Sequence, residues 1–113
     1  MKIAFDEIGE RYVTFGAADG AAEGEVCKLA GNGTVAVCAA GDDFCGVIAE
    51  LRGGTAAVQL GGFCTLPYTG AAPAVGYGHL GADGAGGVSV NAAAKSYLIV
   101  EIDDVNKTVG FFL

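Results

Sequence analysis

"GEVCKLAGNGTVAVCAAGDDFCGVI", residues 24–48, sets two short apolar runs on either side of an Asn-Gly pair. Asn32 and Gly33 both tolerate the positive φ that a tight hairpin turn requires. "EVCKLA" (25–30) and "TVAVCA" (34–39) are therefore predicted to pair as antiparallel strands, with "FCGVIAEL" (44–51) as a third strand beyond them.

Working outward, the same alternation of apolar run and Gly or Asp punctuation recurs in "RYVTF" (11–15), "TAAVQL" (55–60), "FCTLPY" (63–68), "GVSV" (87–90), "YLIVEI" (97–102) and "TVGFFL" (108–113). Gly53-Gly54 marks a second hairpin and "DDVNK" (103–107) a third. The expected fold is all-β, a compact small barrel or sandwich of about nine short strands. Residues 11–113 form one β domain behind an N-terminal arm, residues 1–10. No tandem repeat stands out. "TGAAPAVGYGHLGADGAGG" (69–87) is predicted to be a long Gly-rich loop, because Pro73 and its glycines disfavour a helix and weaken any strand. "VNAAAK" (90–95) allows one helical turn capped by Asn91.

Composition agrees with this outline. At 113 residues, 52% hydrophobic and 17% charged, the chain is long enough for one core and too apolar for disorder, and its 20 glycines argue against long helices. Thirteen acidic against six basic side chains give a net charge of −7, so no Lys/Arg surface is available to neutralise phosphates, and nucleic acid is not an expected partner. Asp6, Glu7 and Glu10 interrupt the apolar stretch a signal peptide needs, and no window is apolar enough for a membrane helix. Synthesis in the cytoplasm, with no membrane partner, is the expectation.

The four cysteines follow the pattern C-x10-C-x6-C-x18-C, without the closely spaced pairs that aim two thiolates at one zinc ion. Cys27, Cys38, Cys45 and Cys64 read as small apolar core residues with reduced thiols, a disulfide or metal being the minor alternatives. "GYGHLG" (76–81) satisfies G-x-G-x-x-G, but "ADGAGG" follows it and cannot form the helix whose N-terminus would receive a pyrophosphate. His79 is the only histidine and no serine stands in a nucleophile elbow. Asp42-Asp43 and Asp103-Asp104 fall in predicted turns, where Asp accepts backbone hydrogen bonds. No catalytic residue, metal or cofactor is assigned, and an enzyme is not expected.

An acidic all-β chain without a catalytic constellation reads as an interaction protein. Ile3, Phe5 and Ile8, spaced among charges, form an arm that could add a strand to a partner's sheet, with Tyr12 at its base. At the other end Phe111 and Phe112 point to opposite sides of one strand, so burying both calls for the core on one side and a neighbouring subunit on the other. These six residues are the expected partner contacts.

The order "GEVCKLAGNGTV … AGDDFCGV … AAVQLGGFCTLPYTG", with "YVTF" before it and "YLIVEIDDVNKTVGFFL" after it, resembles a family of small phage and prophage proteins known as capsid cement or head decoration proteins. The resemblance runs from about Tyr12 to Leu113 and rests on turns and strands. It implies a β-barrel-like protein, commonly trimeric, that binds the outer face of an assembled capsid and stabilises contacts between major capsid protein subunits. Virion localisation, on the capsid's outer surface, follows from it. The alternative is a β-barrel module binding a host-surface ligand such as a glycan, with Tyr68 and Tyr77 as the aromatics near the 69–87 segment.

Overall fold

The computed structural model describes residues 9–113; the expected contacts at Ile3, Phe5 and Ile8 lie outside the described residues. Among the described residues ten strands form: β1 Arg11–Ala17, β2 Val26–Gly31, β3 Thr34–Val37, β4 Gly46–Arg52, β5 Thr55–Gly61, β6 Phe63–Thr69, β7 Gly76–Ala82, β8 Val88–Val90, β9 Ser96–Asp103 and β10 Thr108–Phe112. The fold is all-β, as expected, and the strands close into two five-stranded barrels, β1-β3-β2-β4-β5 and β6-β8-β7-β9-β10. Closure leaves neither sheet with a free edge. The three predicted hairpins are present as β2–β3, β4–β5 and β9–β10.

The barrels repeat one another, contrary to the expectation of no tandem repeat. β1 runs parallel to β3 and antiparallel to β5, and β6 has the same relation to β8 and β10. In β4–β5, Ile48 faces Val58 and Glu50 faces Ala57, leaving Ala49 as a bulge; in β9–β10, Ile99 faces Phe111 and Glu101 faces Gly110, leaving Val100. A bulge at the same step bends both hairpins onto their barrels. Equivalent positions then point inward: Ala56 and Val58 in the first barrel, Val109 and Phe111 in the second, with Val35 and Val88 opposite, all fully buried.

β7 corrects the predicted 69–87 loop. Its glycines belong to a strand that pairs with β8 and β9, and at Gly78 a Cβ would stand 2.9 Å from Ile99 Cδ1. The absent side chain makes room for Ile99. The G-x-G-x-x-G pattern thus lies along a strand, and His79, expected in the loop, lies on the same strand and donates from Nδ1 to the Ala94 carbonyl at 2.7 Å. Residues 91–94 make a single turn in which the Ala93 N–H bonds Asn91 Oδ1 and the Ala94 N–H bonds the Asn91 carbonyl.

Two features join the barrels. The β3–β4 connection sends Phe44 into the second barrel's core, stacked on Tyr97 at 5.2 Å and edge-on to Phe111, while the next residue, Cys45, packs on the first barrel's core. At the β5–β6 link, the buried Gln59 amide donates to the carbonyls of Gly61 and Phe63, at 3.1 and 3.0 Å. Gly62 has φ of +92° and lies so close to Glu10 that a Cβ would fall 2.8 Å from its Cα. The start of the described chain therefore crosses the link, and the Leu113 N–H bonds the Gly62 carbonyl there.

Candidate interaction surface

Strand alternation gives each barrel an outer row at matching positions. In the first barrel the row is Tyr12, Gln59, Val47 and Val26, each opposite the next across β1, β5, β4 and β2. In the second it is Phe63, Phe112, Leu98 and Tyr77 across β6, β10, β9 and β7. The fates of these rows differ. Val26 and Val47 are buried at 1% and 8% exposure because they pack into the second barrel's core cluster. Their counterparts Tyr77 and Leu98 are 80% and 37% exposed.

Around Tyr77 the apolar surface extends. Val75 and Val90 are both exposed, and together with Pro73 and Tyr77 they line a groove of about 280 Å³. Exposed apolar residues that line one groove form a patch distinct from apolar side chains scattered singly. Exposed Tyr is well suited to such a face, since its ring buries apolar area while its hydroxyl keeps a polar partner.

The expected partner contacts fall in different places. Tyr12 is half exposed on β1, and its hydroxyl donates to Glu10 Oε1 at 2.8 Å. Phe112 is half buried on the outer row, edge-on to Phe63 at 5.5 Å. Phe111 is corrected from a partner contact to a core residue: it is wholly buried, edge-on to both Tyr97 and Phe44, so nothing of it is left for a partner. The sequence marks Tyr77 only as an aromatic near the 69–87 segment and gives no sign of Leu98 or Val90 as surface residues. The likeness of "VIAEL" (47–51) to "LIVEI" (98–102) aligns Leu98 with Val47 but does not say which of the two is covered.

A second pair of matching concavities lies beside the bulges. Thr14, Glu50, Arg52, Thr55 and Ala57 line one, and Thr65, Glu101, Asp103, Thr108 and Gly110 line the other. The Thr, Glu and Thr are common to both, while Arg52 is replaced by Asp103. Each has a small residue in its lining, Ala57 or Gly110.

The thiols are placed as structural residues for the most part. Cys27, Cys38 and Cys64 are buried, and all four are free. Burial pushes the Cys64 thiol up to about 12; burial and then the Asp42 charge push Cys38 up to about 11. Among the described residues no cluster of His, Cys, Asp and Glu has the arrangement of a metal site. Tyr68 is buried, its hydroxyl donating to Asp104 at 3.0 Å, and so offers no ring face to a ligand. No protein-family model matches the chain, and no curated protein matches it significantly.

Proposed function

We propose that this protein is a phage capsid decoration, or cement, protein that binds the outside of an assembled head and stabilises contacts between major capsid protein subunits. The observation that carries the reading is the exposed Tyr77–Leu98 row, whose counterpart in the first barrel, Val26–Val47, is buried against another barrel. One face of the repeat is used as an interface inside the chain, and its twin is left to a partner. The resemblance of the chain to the cement family supplies the kind of partner. A net charge of −7 keeps such a protein off DNA, and a role in bridging subunits needs no catalytic group.

Its work would be mechanical. Packaged genome presses a shell outward, and a ligand that binds only the closed lattice adds its binding free energy to the cost of opening. Many copies, each a homotrimer engaging several capsid subunits, multiply a modest contact. The protein would be made in the host cytoplasm and reside on the virion surface.

The test is co-sedimentation of the purified protein, full length and lacking residues 1–10, with capsids of its own phage or prophage. Saturable binding supports the reading, and loss of binding on truncation assigns the contact to the arm. Failure of both forms to bind removes it. One observation favours a glycan-binding reading instead: Tyr77 stands exposed at the rim of its groove. Selective retention on a glycan array, lost in Tyr77→Ala, would establish that alternative.

A further inference from the structure

The contact between Cys27 and Cys45 has properties that packing alone does not call for. Cys27 is the fully buried member, lying across β2–β4 from Gly46 and donating its thiol toward the Gly46 carbonyl at 3.7 Å. Cys45 adjoins that pair, and its N–H donates to the Cys27 carbonyl at 2.8 Å. The backbones of the two residues are thus tied by a short hydrogen bond, and Cys45 packs against the core cluster to which Cys27 belongs. Cys45 directly precedes β4, next to the residue that Cys27 faces across the β2–β4 ladder, and so is the cysteine adjoining Cys27 in register. Cys45 is half-buried, whereas Cys27 is fully buried.

We propose that Cys45 is the reactive thiol of a dithiol pair that takes a small-molecule disulfide, such as oxidised glutathione, and passes the modification to Cys27 to form an intramolecular Cys27–Cys45 disulfide. The Cys45 thiolate attacks one sulfur of the glutathione disulfide; that S–S bond breaks and the first glutathione leaves as a thiolate that takes up a proton. The Cys27 sulfur, giving its proton to the second departing glutathione, then attacks Cys45 Sγ and expels it. Two protein thiols are oxidised and one glutathione disulfide is reduced to two glutathiones.

Electrostatics favour this order of events. Proximity to the Cys27 thiol, reinforced by the Cys45 backbone and the Lys95 ammonium, lowers the Cys45 thiol to about 7, while proximity to Cys45 and burial push Cys27 well above its ordinary value. A half-buried thiol of lowered pKa beside a fully buried one is the arrangement of an attacking and a resolving cysteine. Cys38 is near but is held protonated by burial and by Asp42, so it is not the competitor. The cross-link would fix the β3–β4 connection just after Phe44, locking the ring that joins the barrels. The inference is independent of the capsid reading.

The test treats the full-length protein with oxidised glutathione and follows intact mass, peptide maps and melting temperature. The expected product has lost about 2 Da, yields one Cys27–Cys45 peptide, melts roughly 10 °C higher and reverts with dithiothreitol. Cys27→Ala should stop at a stable glutathione adduct on Cys45, Cys45→Ser should give neither adduct nor cross-link, and Cys38→Ser should behave as the wild type. Should Cys27→Ala fail to fold, the wild-type peptide map and the Cys45→Ser and Cys38→Ser variants still decide. A cross-link involving Cys38 or Cys64, unchanged glutathione uptake by Cys45→Ser, or no reaction of the folded wild type would each overturn the proposal.

Discussion

The two barrels share one topology and one bulge position, yet they fill and use the same frame differently. The first is lined by Cys27, Val35, Ile48, Ala56 and Val58, all small or aliphatic. The second has Phe111 where the first has Val58, adds Tyr97, Leu80 and Leu66, and takes Val26, Cys38, Phe44 and Val47 from the first barrel into its own cluster. Its core therefore depends on a neighbour, whereas the core of the first is built from its own strands and adjoining segments. The difference teaches that equivalent backbone positions are assigned their roles by what lies beyond them. Val47 is a seam residue and Leu98 an exposed one because only the first is covered.

That asymmetry can be broken most forcefully at the matched core pair. Phe111→Ala should cost about 3–5 kcal/mol in denaturant unfolding, and Val58→Ala about 1–3 kcal/mol, because the larger ring leaves the larger cavity. Equal losses would mean that the two cores bear the same load. Phe44→Ala should cost about 3 kcal/mol, and hydrogen exchange should then quicken more in β6–β10 than in β1–β5, since the ring belongs to the second core. Uniform acceleration would contradict a dependent second barrel.

Smaller effects sharpen the picture at the link and in the turns. Gly62→Ala should cost about 1–3 kcal/mol, from a positive φ and contact with Glu10, and should loosen residues 9–10 without altering either core. At low pH two carboxylates, Asp42 and Asp103, should act alike and be distinguished by salt. The Lys28 ammonium and then the Ala39 N–H hold Asp42 below the usual carboxylate range; the backbone N–H groups and side-chain amide of Asn106, helped by Val105, do so for Asp103. A depressed carboxylate stabilises the fold above its unfolded value and loses that contribution as pH falls through the folded one, so melting temperature should drop as pH falls from about 4 towards 2. High salt should shrink the effect of Asp42→Asn, which rests on an ion pair of 2.6 Å, and leave that of Asp103→Asn unchanged.

Much of this frame was readable from residues alone. Asn32-Gly33, Gly53-Gly54 and "DDVNK" placed three hairpins because turn chemistry is local. β7 was missed because Pro73 and the glycines at 76, 78 and 81 normally weaken a strand, and the reason for glycine at 78 is Ile99, remote in sequence. Phe44 was read as the start of a strand, although β4 begins at Gly46; its role depends on a second barrel that the sequence did not announce. The repeat itself hides behind substitutions that keep inward and outward alternation while changing size, as with Val58 and Phe111. For the same reason Tyr77 and Leu98 carried no distinguishing mark: an outer-row residue looks the same in sequence whether it is covered or bare.

The most direct test of the central claim, that the bare outer row of the second barrel is the docking face, is capsid binding by the Tyr77→Ser/Leu98→Ser double variant beside Leu29→Ser, a control at an exposed apolar position of the first barrel. The account predicts that both remain folded, that the double variant loses at least about tenfold in affinity through lost apolar burial, and that Leu29→Ser binds as the wild type. Full binding by the folded double variant, or a loss confined to Leu29→Ser, would contradict it.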